Sequence, residues 1–278
     1  FAAASLRTNA RVPDPDPDPH AEGGVLGNML AVLRSSGFQR LSAVFSLQSV
    51  AGWLCCAFIF VHLQRTMKFS MVQMQVLAGI SCVVSFAAGR LFEIVGKHYG
   101  RKPVLLICTL VKSVEFVLWG TMRPGDHALD LVVRRASTAL LGDWAALPEG
   151  FAGAIPVFVL GGFVNVGIAS MQLAFMRSIG TRKTQTLAIS LFFSFSGLVG
   201  GVVAMFSGVL FDLLGTPGFG PDGLRRMAGG LGLTPFNVMA LAGAAGYALT
   251  ALLIRLLREE GASPTMHVLR VLLANNPV

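Results

Sequence analysis

The sequence predicts an all-α membrane protein of six transmembrane helices, arranged as two inverted triplets. Three observations carry that prediction. Of 278 residues, 54% are hydrophobic and 13% charged, with a mean hydropathy of +0.67, whereas soluble domains carry roughly 25% charge. Six apolar runs approach or exceed the roughly 20 residues needed to cross a bilayer as a helix. A short motif also occurs twice, at corresponding places in the two halves.

Residues 1 to 41 are expected to form a polar linker. The run "PDPDPDPH" at 13 to 20 alternates proline rings with carboxylates and should be extended and solvated. The stretch "LGNMLAVLRSSGFQRL" then reads as a short amphipathic lead-in, because Leu26, Met29, Leu30 and Leu33 recur at helical spacing. The chain opens on Phe1 without the pattern of a signal peptide, and the expectation is a fragment of a longer protein.

The spans are placed at 42–63, 71–93, 103–120, 152–176, 185–211 and 236–257. Pro103 and Pro235 stand where a first helical turn tolerates proline, and Thr234 is the expected N-cap of the last span. Residues 258 to 278 form a tail. Loop 126–144, "DHALDLVVRRASTALLGDW", reads as a surface amphipathic helix. With the N-terminus inside, fourteen Lys and Arg fall in inside segments and seven in outside ones, and Lys112 lies within a span. That bias predicts cytosolic N- and C-termini. It also accounts for the net charge of +8 without a nucleic-acid partner. The partner expected from hydropathy is the lipid bilayer.

The repeat is "GRLFEIVG" at 89–96 and "GVLFDLLG" at 208–215. Each copy closes the second helix of a triplet, on opposite faces by the predicted topology, and inverted repeats are a construction principle of secondary transporters. Lys97, His98, Arg101 and Lys102 follow the first copy, and no immediate base follows the second.

The extended stretch "GRLFEIVGKHYGRKPVLL" resembles the loop signature of the major facilitator superfamily: glycine, leucine, an acid, a second glycine, then bases leading into the next helix. Gly89, Leu91, Glu93, Gly96 and Lys97 match its first half, and Gly100, Arg101 and Lys102 its second. About four extra residues separate the acid from the Gly-Arg-Lys end, and Glu93 replaces the commoner aspartate. The resemblance covers residues 30 to 260 and implies the C-terminal half of such a transporter, helices seven to twelve. It further implies a conformational latch at Glu93, Arg101 and Lys102; the simpler reading is that these bases fix topology. The resemblance also implies a small-molecule substrate, proton coupling as one possible driving force, and a missing N-terminal half or a second copy as partner.

Lys112 and Glu115 lie at i and i+3 within a span, where charge is costly and marks either a structural ion pair or a coupling site. Polar or small residues recur at helical spacing on four other helices: Gln48, Gly52, Cys55 and His62; Gln75, Gly79, Cys82 and Gly89; Gly162, Asn165, Ala169 and Gln172; and Ser190, Ser194, Gly197, Gly201, Ala204 and Gly208. Gln48, Asn165 and Gln172 are candidates for the substrate path, with interhelical hydrogen bonds as the other reading. The glycine and serine stripes read as close helix packing. Trp53 reads as core or lipid-facing, with stacking on a substrate as the other reading, and His62 reads as interfacial.

Cys55, Cys56, Cys82 and Cys108 sit within apolar runs, away from disulfide or metal-ligand spacing. The five histidines are scattered, with no HExxH, GxSxG or phosphate-loop pattern. An enzyme is therefore not expected, and neither is a cofactor or metal. Two further classes compete with transport: a non-transporting receptor or assembly protein on the same fold, and a multi-pass lipid-modifying enzyme.

Overall fold

A computed structural model describes residues 24–122, 135, 150–177, 182–215, 234–255 and 257. The helices are α1 (Val25–Arg34), α2 (Ser36–Arg65), α3 (Met71–Tyr99), α4 (Arg101–Thr121), α5 (Phe151–Met176), α6 (Arg182–Gly215) and α7 (Pro235–Ile254). Among the described residues, the last six are long and apolar enough to cross a membrane. Lipid offers backbone groups no hydrogen bonds, so each span must satisfy its own. The polar linker before residue 24, the helix expected at 126–144 and the tail from 258 lie outside the described residues.

Local chemistry explains the helix ends. Ser35 is the single residue between α1 and α2: its Oγ donates to Val32 O (2.8 Å) and accepts from the Phe38 N–H (3.3 Å). Ser70 and Gln73 form a reciprocal capping box at the start of α3, and Thr234 and Asn237 do the same for α7, with Pro235 in its first turn. Only Gly100 links α3 to α4, and its φ of 95° suits a residue without a side chain. The first five spans equal or outrun their apolar runs, while α7 ends at Ile254, short of the expected 257. At 30 residues α2 is about 45 Å long against a hydrocarbon core of about 30 Å, because nothing between Ser36 and Leu41 stops a helix that Ser35 has already capped.

The spans pack in a row: α6 on α2, α2 on α7, α7 on α4, α4 on α5, and α5 on α3. Helices consecutive in sequence are seldom strong neighbours. Half or slightly more of the apolar window of α4, α5 and α7 is buried, against 17% for α3 and α6 at the ends of the row.

Among the described residues, most buried apolar side chains fall into two clusters. One, near the start of α2, gathers Phe45, Leu105, Met176, Phe192 and Ile254. The other, toward the opposite end, gathers Leu63, Leu77, Phe116, Trp119 and Phe236. Glycine permits close approaches in the centre. A Cβ on Gly243 would stand 2.7 Å from the Phe116 ring and 2.9 Å from Ala51 O, and one on Gly120 would stand 2.8 Å from Leu241.

Gly243→Val should therefore destabilise the bundle by about 1–3 kcal/mol through overpacking. Gly201→Val, where an added Cβ meets nothing within 4 Å, should be near neutral. Unfolding of the purified protein in detergent measures both, and equal losses would show that α7 does not approach α4 and α2 so closely.

Candidate functional site

Along the helices, the two apolar clusters are separated by a polar layer. Nine polar or charged side chains are buried among the described residues. Five of them lie between the clusters: Gln48 on α2, Thr109, Lys112 and Glu115 on α4, and Thr250 on α7. The layer contains the buried ion pair. Lys112 Nζ donates to both carboxylate oxygens of Glu115, at 3.0 and 2.8 Å, with both side chains 5% exposed. The ammonium also lies 5.2 Å from the Phe116 ring centroid, a favourable cation–π distance.

Space for the pair comes from the neighbouring helix. A Cβ on Gly161 of α5 would stand 2.9 Å from Glu115 Oε1, so the carboxylate occupies volume that any other residue would fill. Burying two charges is offset only when each satisfies the other at close range. The bidentate contact does so.

A hydrogen-bond chain crosses three helices beside the pair. Gln172 Nε2 donates to Gln48 Oε1 (2.9 Å), Gln48 Nε2 to Thr109 Oγ1 (3.3 Å), and Thr109 Oγ1 to Leu105 O (2.7 Å). Gln48 is buried, Gln172 is half-buried and joins it from α5, and Asn165, on the same helix, is exposed. Of the three substrate-path candidates, the structure brings two together and leaves the third apart. Thr109 had no sequence signal beyond being a hydroxyl in an apolar run.

The turn between α3 and α4 forms a second polar centre. Glu93 pairs with Lys97 one turn away on its own helix, at 2.7 Å, with the side chains 65% and 73% exposed. A pair so exposed contributes little to stability. Arg101 and Lys102 reach further. Arg101 Nη1 donates to Ala174 O in the last turn of α5 (2.8 Å), and Lys102 Nζ donates to Arg255 O just beyond α7 (2.8 Å) and to Leu257 O. Cations placed on helix C-terminal carbonyls complement the dipole and satisfy orphan acceptors. The rest of the motif fits around them: a Cβ on Gly96 would crowd Met171 of α5, one on Gly89 would meet Val166 at ordinary contact distance, Leu91 is exposed, and Gly100 makes the turn.

Two expectations meet a different arrangement. Gly197, Gly201 and Gly208 face open space among the described residues; α6 packs on α2 instead through Gly200 against Trp53, Ser196 Oγ against Ser49 Oγ (2.8 Å) and Phe192 against Phe45. The stripe sits one residue round from the packed face. His62, expected at an interface, is 4% exposed and stacks on Phe236 with ring centroids 4.1 Å apart.

Replacing one partner of the ion pair, by Lys112→Met or Glu115→Leu, should cost about 3–5 kcal/mol, whereas the double replacement Lys112→Met/Glu115→Leu should recover most of that loss. A double-mutant cycle of unfolding in detergent micelles reads the coupling directly. Additive losses in that cycle would mean that the two charges do not depend on each other.

Comparison with protein families, curated proteins and solved structures finds no match to this chain.

Proposed function

We propose that the chain is the C-terminal six-helix half of a secondary transporter of the major-facilitator type, moving a small solute by alternating access. The observation that carries this reading is the packing order of the spans. Read from one end, the row is α6, α2, α7, α4, α5, α3. Exchanging α2 with α5, α3 with α6 and α4 with α7 gives the same row from the other end. A two-fold axis between the triplets of an inverted repeat would produce such an order.

Other features support it. The echoed motifs at 89–96 and 208–215 close α3 and α6, the two helices this exchange interchanges at the ends of the row. The bases of "GKHYGRK" at 96–102 reach the ends of α5 and α7, so this turn is coupled to one helix of the second triplet's start and one of its end. In this reading the turn is cytosolic, both termini share its side, and Gln48, Asn165 and Gln172 border the solute path. Lys112 and Glu115 serve as a structural pair or as a proton-coupling site. A further six-helix half, or a second copy, completes the pathway.

Reconstitution of the full-length protein in vesicles tests this reading. Flux of at least one solute from a broad panel is expected, and Arg101→Gln with Lys102→Gln should slow it by about tenfold or more as the ends of α5 and α7 lose their caps, each cap being worth about 1 kcal/mol. No flux across the panel from correctly inserted protein would favour the non-transporting receptor reading. A cysteine at position 97 should be labelled only from the cytosolic side and one at position 68 only from the other; the reverse pattern would overturn the assigned topology.

A further inference from the structure

Helix α1 is the one described helix too short to span a membrane, and most of its surface is uncovered. Val32, 5% exposed, packs into the apolar cluster that also holds Phe192 of α6. Next to Val32 around the helix come Met29, Leu33, Leu26 and Leu30, an apolar arc of about 160° at 100° per residue. Leu26, Leu30 and Leu33 are 72%, 45% and 41% exposed. The opposite arc is Gly27, Asn28, Ala31 and Arg34. One edge of the apolar arc is therefore seated on the bundle and the adjoining edge is open.

Two constraints identify what meets the open edge. The first is the joint. Ser35 alone separates α1 from α2, its hydroxyl bonds to both helices, and Gln39 Nε2 of α2 donates back to Leu33 O (3.0 Å). A helix held this way stays where α2 enters the membrane. The second is charge. From residue 24 to residue 102 Glu93 is the only acid; Arg34 and Arg40 flank the joint itself, and Arg90, Lys97, Arg101 and Lys102 lie at the same end of the bundle on α3 and α4, farther along the row. Arginines flanking an apolar arc, on the end of the bundle that carries these further bases, are complementary to an anionic phospholipid leaflet, whose headgroups attract cations and whose acyl chains begin just below.

We propose that α1 is an interfacial anchor: it lies in the headgroup region of the bilayer that the spans cross, burying Leu26, Leu30 and Leu33 among acyl chains, with anionic phospholipid as its partner. Val32 and the Ser35 joint set the roll of the helix so that the leucines face the lipid. This holds whether or not the bundle transports a solute.

The test uses the full-length chain in vesicles of phosphatidylcholine alone or of equal parts phosphatidylcholine and phosphatidylglycerol, with or without brominated acyl chains. Against the wild-type tryptophan background, Leu30→Trp should give blue-shifted emission quenched by the brominated lipids, and more strongly, by about twofold, in the anionic mixture. Water-like emission, or equal quenching in the two lipid compositions, would overturn the proposal. Blue-shifted emission without quenching would also overturn it, since protein would then cover the face. As a second readout, Leu26→Ser/Leu30→Ser/Leu33→Ser should speed amide exchange over residues 26–33 by about tenfold and leave the spans protected. Unchanged exchange in that variant counts against the anchor.

Discussion

Contact between α4 and α7 is what the rest of the bundle rests on. These two helices occupy the centre of the row, and they approach closely because Gly120 and Gly243 remove side chains where Leu241 and Phe116 need room. Ser113 Oγ adds a hydrogen bond to Ala244 O (2.8 Å). In lipid the hydrophobic effect does little to bring helices together, so association depends on van der Waals contact and such bonds. Once α4 and α7 are fixed, α7 offers its other side to α2 and α4 offers its other side to α5. The outer helices α6 and α3 complete the row on that platform.

The same centre explains why charge is tolerated there. Lys112 and Glu115 project from α4, the helix with the largest buried share of its apolar window, and Gly161 leaves a hollow that the carboxylate fills. Gln48 and Gln172 lie in the same layer and bond to each other. Glu115 thus stands opposite a glycine, and Gln48, Gln172 and Thr109 stand opposite one another. Apolar clusters above and below keep the layer in register, because sliding any one helix would set a charge against hydrocarbon.

Much of this was legible in the sequence. Six apolar runs correspond to six spans among the described residues, since a run of about 20 apolar residues matches the thickness of a bilayer, and the Thr234 cap with Pro235 could be read from residue type alone. The pairing of Lys112 with Glu115 followed from i,i+3 spacing on one helix. Partners supplied by distant helices were not legible: the bases at 101 and 102 meet carbonyls near residues 174 and 255, and every residue carries a carbonyl. Nor could spacing tell which face of α6 packs, because Gly197, Gly200 and Gly201 are all small, and only Gly200 lies against Trp53. Composition reports that a helix can be approached. Geometry decides from which side.

Gly100 joins α3 to α4 with a single residue, and that brevity fixes the angular phase of α4 as well as its position. Adding one residue would turn α4 by about 100° about its axis, as a gear slips one tooth. Lys112 and Glu115 would swing away from Gly161, and Arg101 and Lys102 would lose the ends of α5 and α7 together. The turn therefore acts as an index mark, tying the rotation of the central helix to the surface contacts that hold its neighbours.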